Sequence, residues 1–213
     1  MNDLILQKPA LGPGQSAELF LLFHGVGARA ADLGGVGASL AGRHAQAWVV
    51  SVQAPRPSDL AQGWQWFSVR GVTPENRAGR VAEAMPGFVQ SVLAWQKETG
   101  LDATRTTLIG FSQGAIMSLE STQLARPIAG RVAALAGRFA LAPRQAPGTT
   151  PIHLLHGEAD SIVPTSSSID AHAQLLALGA NVSLDLIPGL GHGIDARMME
   201  RLHHRLAPDR NGA

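Results

Sequence analysis

The chain has 213 residues, 45% of them hydrophobic, and its 17 Lys and Arg against 16 Asp and Glu leave a formal net charge of +1. That length and apolar content suit one domain over residues 1–213 around a single core, and they exclude a largely disordered polypeptide. Near-neutral charge without a Lys/Arg run excludes a nucleic-acid partner, and the lack of cysteine excludes disulfides, thiolate metal sites and a Cys nucleophile.

Met1 to Ala10 lack the basic start and apolar core of a secretory signal, and no run of about 18 apolar residues occurs anywhere. A cytoplasmic protein with no membrane span is therefore expected. Asp3 to Lys8 reads as a short edge strand. Apolar runs at Glu18 to His24, Ala47 to Val52, Thr106 to Gly110, Arg131 to Ala136, Pro151 to His156 and Asn181 to Ile187 read as buried strands. Helical patterns lie between and after them, near Ala30 to Ala45, Asn76 to Glu98, Gln113 to Ala125, Ser167 to Leu178 and Ile194 to Leu206. This alternation predicts an α/β fold, a mostly parallel, doubly wound sheet with helices on both faces, whose chemistry sits beyond the carboxyl ends of the strands.

At one such end stands Gly110-Phe111-Ser112-Gln113-Gly114, between the strand Thr-Thr-Leu-Ile and the helix Ala-Ile-Met-Ser-Leu. A serine on a tight strand-to-helix turn presents its hydroxyl above the sheet, and small flanking residues let the two backbones approach. A helix N-terminus at the same place favours developing negative charge. A serine hydroxyl is a poor nucleophile unless a base takes its proton and a third group orients that base. Two later loops offer both: Asp160 follows the strand ending at His156, and His192 stands in Pro-Gly-Leu-Gly-His-Gly after the strand ending at Ile187. The expected catalytic residues are Ser112, His192 and Asp160, with Glu158 as a competing orienter and Asp195 as a helix cap.

Of the other histidines, His44, His153, His172, His203 and His204 lie on predicted helices or a strand, and adjacent His203 and His204 cannot share a helical face. No metal site is expected. His24-Gly25-Val26-Gly27 closes the first long strand, and it supplies a candidate oxyanion donor, the Val26 N–H, to pair with the Gln113 N–H. His24 itself is expected to brace this loop by hydrogen bonds.

Together Leu-Phe-His-Gly-Val-Gly, Trp-Phe-Ser, Gly-Phe-Ser-Gln-Gly-Ala, His-Gly-Glu-Ala-Asp-Ser-Ile-Val-Pro and Gly-Leu-Gly-His resemble, in order and over nearly the whole chain, the phospholipase/carboxylesterase family of α/β hydrolases. The family includes acyl-protein thioesterases and small bacterial serine esterases. The resemblance implies an α/β-hydrolase fold, no cofactor, hydrolysis of small-molecule or protein-borne acyl esters or thioesters, and Ser112, Asp160 and His192 as triad with Val26 and Gln113 as oxyanion donors. Two departures concern substrate preference: Ala28 and Ser68 stand where family members often carry Asp.

Too few residues separate Ala136 from Pro151 for a helical lid, so an uncovered site is expected. The long connection from Gln53 to Thr73 gathers Trp64, Trp66 and Phe67, proposed to line the substrate pocket or else to seal the core edge. Peptide cleavage or acyl transfer by the same triad, and a binding module with negligible turnover, are the competing functions. Homodimerisation is left open.

Overall fold

A computed structural model describes residues 2–10, 17–60 and 62–207. Its frame is a seven-stranded sheet in which the strands beginning at Leu4, Ala47, Glu18, Thr106, Arg131, Ile152 and Val182 lie side by side in that order. The strands are β1 (Leu4–Gln7), β2 (Glu18–Phe23), β3 (Ala47–Val52), β6 (Thr106–Phe111), β7 (Arg131–Leu135), β8 (Ile152–Gly157) and β9 (Val182–Ile187). All neighbours run parallel except the edge strand β1, which pairs antiparallel with β3 through Ile5 and Val50.

Strand β2 shows why the sheet is buried on both sides. Leu19, Leu21 and Phe23 point into one apolar cluster and Phe20 and Leu22 into the other, all at 0% exposure. A central parallel strand needs helices over both faces, and an unbroken apolar run provides for that. On one face α1 (Gly34–Arg43) and α5 (Ala196–Leu206) bring Val36, Leu40, Met198 and Leu202 onto Leu22, Val49 and Leu155. On the other, α2 (Pro74–Thr99), α3 (Gln113–Ser121) and α4 (Ser166–Ala177) bring Phe88, Val92, Leu119 and Leu175 onto Leu21, Leu108 and Leu154. Each such side chain contributes about 1.5–3 kcal/mol by leaving water.

Helix boundaries differ from expectation for local reasons. The segment from Ala30 divides into a 3₁₀ turn, Ala30–Leu33, and α1, whose start is weakened by glycines at 34, 35 and 37. Helix α2 begins two residues early because Thr73 caps it reciprocally with Asn76 and Pro74 fills its first position. Helix α3 stops at Ser121, where the hydroxyls of Ser121 and Thr122 donate to the Ser118 and Leu119 carbonyls at 2.7 and 2.6 Å and compete with further helical bonds.

Inside the long connection lies an unforeseen hairpin, β4 (Arg56–Pro57) with β5 (Trp64–Gln65). Residues 136–150 form neither helix nor strand, so no lid covers the sheet's carboxyl edge. Among the described residues, no helix is long and apolar enough to cross a membrane.

Candidate active site

Ser112 joins β6 to α3 with φ 52° and ψ −113°, a conformation that L-residues rarely adopt and that costs of order 1–3 kcal/mol. The surrounding structure holds it there. Its N–H donates to the Leu135 carbonyl at 2.9 Å, and its carbonyl accepts the first helical bond from the Ile116 N–H at 3.1 Å. The bracketing glycines permit the close approach: a Cβ on Gly110 would sit 2.4 Å from the Gly114 carbonyl oxygen, and one on Gly114 2.1 Å from that of Phe23. Any side chain at either place would push strand and helix apart.

His192 and Asp160 come from the loops after β9 and β8, and backbone bonds stitch those loops together. The Ala159 N–H donates to the Leu190 carbonyl at 2.9 Å and the Glu158 N–H to that of Ile187 at 3.0 Å. His192 Nε2 lies 2.9 Å from Ser112 Oγ, and His192 Nδ1 lies 2.7 Å from Asp160 Oδ2. Nδ1 therefore carries the proton and donates to the carboxylate, leaving Nε2 to face the hydroxyl as an acceptor.

The Asp160 carboxylate is buried, and burial alone would raise its pKa. Bonds from His192 and from the Val163 and Ile162 N–H groups, both 2.9 Å from Oδ1, outweigh that and hold it below the ordinary carboxylate value. A further donor escaped the sequence reading. His156, fully buried at the end of β8, places Nε2 at 3.2 Å from Asp160 Oδ2 and 2.9 Å from the Val163 carbonyl, while Ser168 Oγ donates to its Nδ1 at 2.7 Å. Its only sequence signal was a position four residues before Asp160 at a strand end. Of the competitors, Glu158 is exposed, and Asp195 caps α5 by accepting from the Met198 N–H at 2.9 Å.

The loop after β2 lies against the serine, since a Cβ on Gly25 would stand 3.2 Å from Ser112 Cβ. The Gly27 N–H is spent on the Trp64 carbonyl at 2.9 Å, whereas the Val26 N–H has no hydrogen bond among the described residues. The Gln113 N–H, in the first turn of α3, has no helical acceptor either. His24 braces this loop as expected: Nδ1 donates to the Gly25 carbonyl at 2.7 Å and Nε2 accepts from the Ala54 N–H at 3.1 Å. Burial lowers the His24 pKa, overriding the bond to Gly25 and the charge of Asp32.

Trp64, Trp66 and Phe67 do not line the cavity beside the triad. Trp66 and Phe67 are 2% and 3% exposed in the core, and Trp64 borders a separate hollow with Gln53 and Pro55. Trp66 acts as a brace, its indole N–H donating to the His24 carbonyl at 2.9 Å. The Gln113 side chain completes that brace, accepting from the Trp66 N–H and donating to the Phe67 carbonyl, each at 2.7 Å. Ala28, one of the two departures, is held by backbone pairing with Trp64. Ser68, the other, donates to Asp59 at 2.5 Å.

A cavity of about 570 Å³ reaches His192 and is lined by Leu33, Val36, Phe111, Ile194 and Met199 together with the polar His24, Asp32 and Asp195. A larger apolar cavity of about 670 Å³ lies between α2 and α3, and no triad residue lines it.

The sequence model of the phospholipase/carboxylesterase family matches residues 11–208. Esterase YpfH of Escherichia coli K12 is 45% identical over 199 residues, 93% of this chain and 84% of that protein. An acyl-protein thioesterase 1 of Neurospora crassa is 32% identical over 141 residues, 60% of this chain and 58% of that protein. The crystal structure of esterase PE8 superposes with a TM-score of 0.82 at 26% identity, covering 93% of this chain and 95% of its own. With a fully parallel core sheet beside one antiparallel edge strand, helices on both faces and relatives named as esterases, this chain belongs to the phospholipase/carboxylesterase family of α/β hydrolases and is a carboxylic ester hydrolase.

Proposed function

We propose that Ser112, His192 and Asp160 hydrolyse short to medium acyl esters and thioesters through an acyl-enzyme, with the N–H groups of Val26 and Gln113 as oxyanion donors. The observation that carries this reading is the continuous relay from Ser112 Oγ to His192 Nε2 at 2.9 Å and from His192 Nδ1 to Asp160 Oδ2 at 2.7 Å.

As Oγ adds to the ester carbonyl carbon, its proton passes to Nε2, and the carbonyl π electrons move onto oxygen, where the two N–H groups receive the charge. Collapse breaks the bond to the leaving alkoxide or thiolate, which takes the proton from Nε2. Water then adds to the acyl carbon, giving a proton to Nε2, and the second collapse returns that proton to Oγ and releases the carboxylic acid. Asp160 stays ionised throughout, its charge offsetting the transient imidazolium. The cavity lined by Leu33, Val36, Phe111, Ile194 and Met199 takes the acyl chain, and its volume suits short to medium chains. Without a lid, small-molecule and protein-borne acyl groups can both reach the serine.

A fluorophosphonate is expected to label Ser112, located by peptide mass. Ser112→Ala is expected to lose labelling and to lower p-nitrophenyl butyrate turnover by about 10⁵–10⁶-fold. A Ser112→Ala protein that still turns over the ester overturns the assignment.

A further inference from the structure

We propose that the cavity of about 270 Å³ bordered by Arg77, Arg138 and Ser167 is an oxyanion subsite that holds a carboxylate or phosphate on the leaving-alcohol side of the substrate. The inference rests on the ester-hydrolase reading of Ser112.

Arg138 is the anomaly that leads to it. Its Nε is buried and has no hydrogen-bond partner among the described residues, whereas Arg80, Arg105, Arg131, Arg197 and Arg205 all donate to carbonyls or carboxylates. The Arg138 guanidinium is half-buried, borders the cavity and has no carboxylate partner among the described residues, so an anion in the cavity would supply the charge partner that the fold does not. Arg77, near the start of α2, borders the same cavity and forms no ion pair among the described residues. Burial, and then the Arg77 charge, weaken the hold of Arg138 on its proton. Asp170 also borders the cavity without closing an ion pair to either guanidinium, so two positive charges face one negative.

The cavity's place in the fold ties it to the reaction. The Leu135 carbonyl receives the Ser112 N–H, and Arg138 follows three residues later, at most about 10 Å along the chain. Ser167 precedes Ser168, which bonds the His156 that contacts Asp160. No triad residue borders the cavity, so an anion held there belongs to a remote part of the substrate and not to the reacting carbonyl. The cavity that reaches His192 lies over the α1 and α5 face, and this cationic one over the α2 and α4 face. With the acyl chain on the first flank, the leaving alcohol falls on the second.

The test compares butanoyl esters that differ only in the leaving group: 4-(butanoyloxy)benzoate, 4-(butanoyloxy)phenyl phosphate and the neutral methyl 4-(butanoyloxy)benzoate. The native enzyme is expected to favour at least one charged ester by about tenfold in kcat/KM, through KM, and the favoured one identifies carboxylate or phosphate. Arg138→Gln and Arg77→Gln are expected to abolish that preference while hydrolysing the methyl ester as before. No preference for either charged ester, or a preference that survives both substitutions, overturns the proposal. The Arg77→Gln variant decides if Arg138→Gln fails to fold. If the native protein hydrolyses none of the three, the ester-hydrolase reading fails on its own. Calorimetric titration with 4-hydroxybenzoate and phenyl phosphate then judges the subsite, with binding lost in Arg77→Gln supporting it and no binding to the native protein overturning it.

Discussion

His156 Nε2 lies 3.2 Å from the same Asp160 oxygen that His192 Nδ1 approaches to 2.7 Å. With the Ile162 and Val163 N–H groups on the other oxygen, four nitrogens surround the carboxylate, although the His156 Nε2–H is shared with the Val163 carbonyl at 2.9 Å. Crowding by these groups on both oxygens opposes rotation of the carboxylate away from His192. His156→Gln is expected to lower kcat about tenfold, the worth of one hydrogen bond to a charged group, with KM for p-nitrophenyl butyrate unchanged. Steady-state kinetics at several ester concentrations would check the split, and a rise in KM with constant kcat would contradict the positioning role.

Asp160→Asn should keep the backbone in place but reverse the hydrogen-bonding preference at His192 Nδ1, turning Nε2 from acceptor to donor. A fall in kcat of about 10³–10⁴-fold is expected. Glu158→Gln, at an exposed side chain two residues before Asp160, should match the native rate within twofold. Measured side by side, the two variants separate the competing orienters.

Gln113→Ala should act on stability more than on binding. It strips partners from the buried Trp66 N–H and Phe67 carbonyl, each bonded at 2.7 Å. Two buried groups left unsatisfied cost about 2–4 kcal/mol, read as a lower urea midpoint at constant m-value. An unchanged midpoint would mean that water replaces the amide without loss.

Burial pushes His24, His44, His156 and His203 all below the ordinary histidine pKa of 6.5. Between those lowered folded values and 6.5 the unfolded chain binds more protons than the folded one, so stability rises with pH across that window. Acidification from pH 7 to pH 5 is therefore expected to lower the melting temperature progressively, while the range from pH 7 to 8 stays flat with respect to these groups. Melting curves at constant ionic strength would test this, and equal temperatures at pH 7 and 5 would refute it.

The sheet, and the meeting of Ser112, His192 and Asp160 at its carboxyl edge, were legible because each depends on local signals that add up. Short apolar runs mark buried strands, and a glycine-bracketed serine between strand and helix can be recognised without coordinates. The roles of Trp66 and Phe67 were not legible, because an aromatic side chain that seals a core and one that lines a pocket look alike in sequence. What decides is the Gln113 amide, 47 residues from Trp66, which fastens their backbone. His156 was hidden for a similar reason: its value lies in Val163, Ser168 and Asp160 closing around it once β8 and α4 have packed. The hairpin at Arg56–Pro57 was missed because each of its strands is only two residues long, below any periodicity.

Ser112 and His192 stand 80 residues apart, on turns leaving β6 and the last strand, β9. A growing polypeptide on the ribosome thus exposes Ser112 well before His192, the base proposed for it, has been made. On the mechanism proposed above, the order of synthesis therefore delays attack on surrounding acyl groups until β9 has docked and brought His192 to the serine.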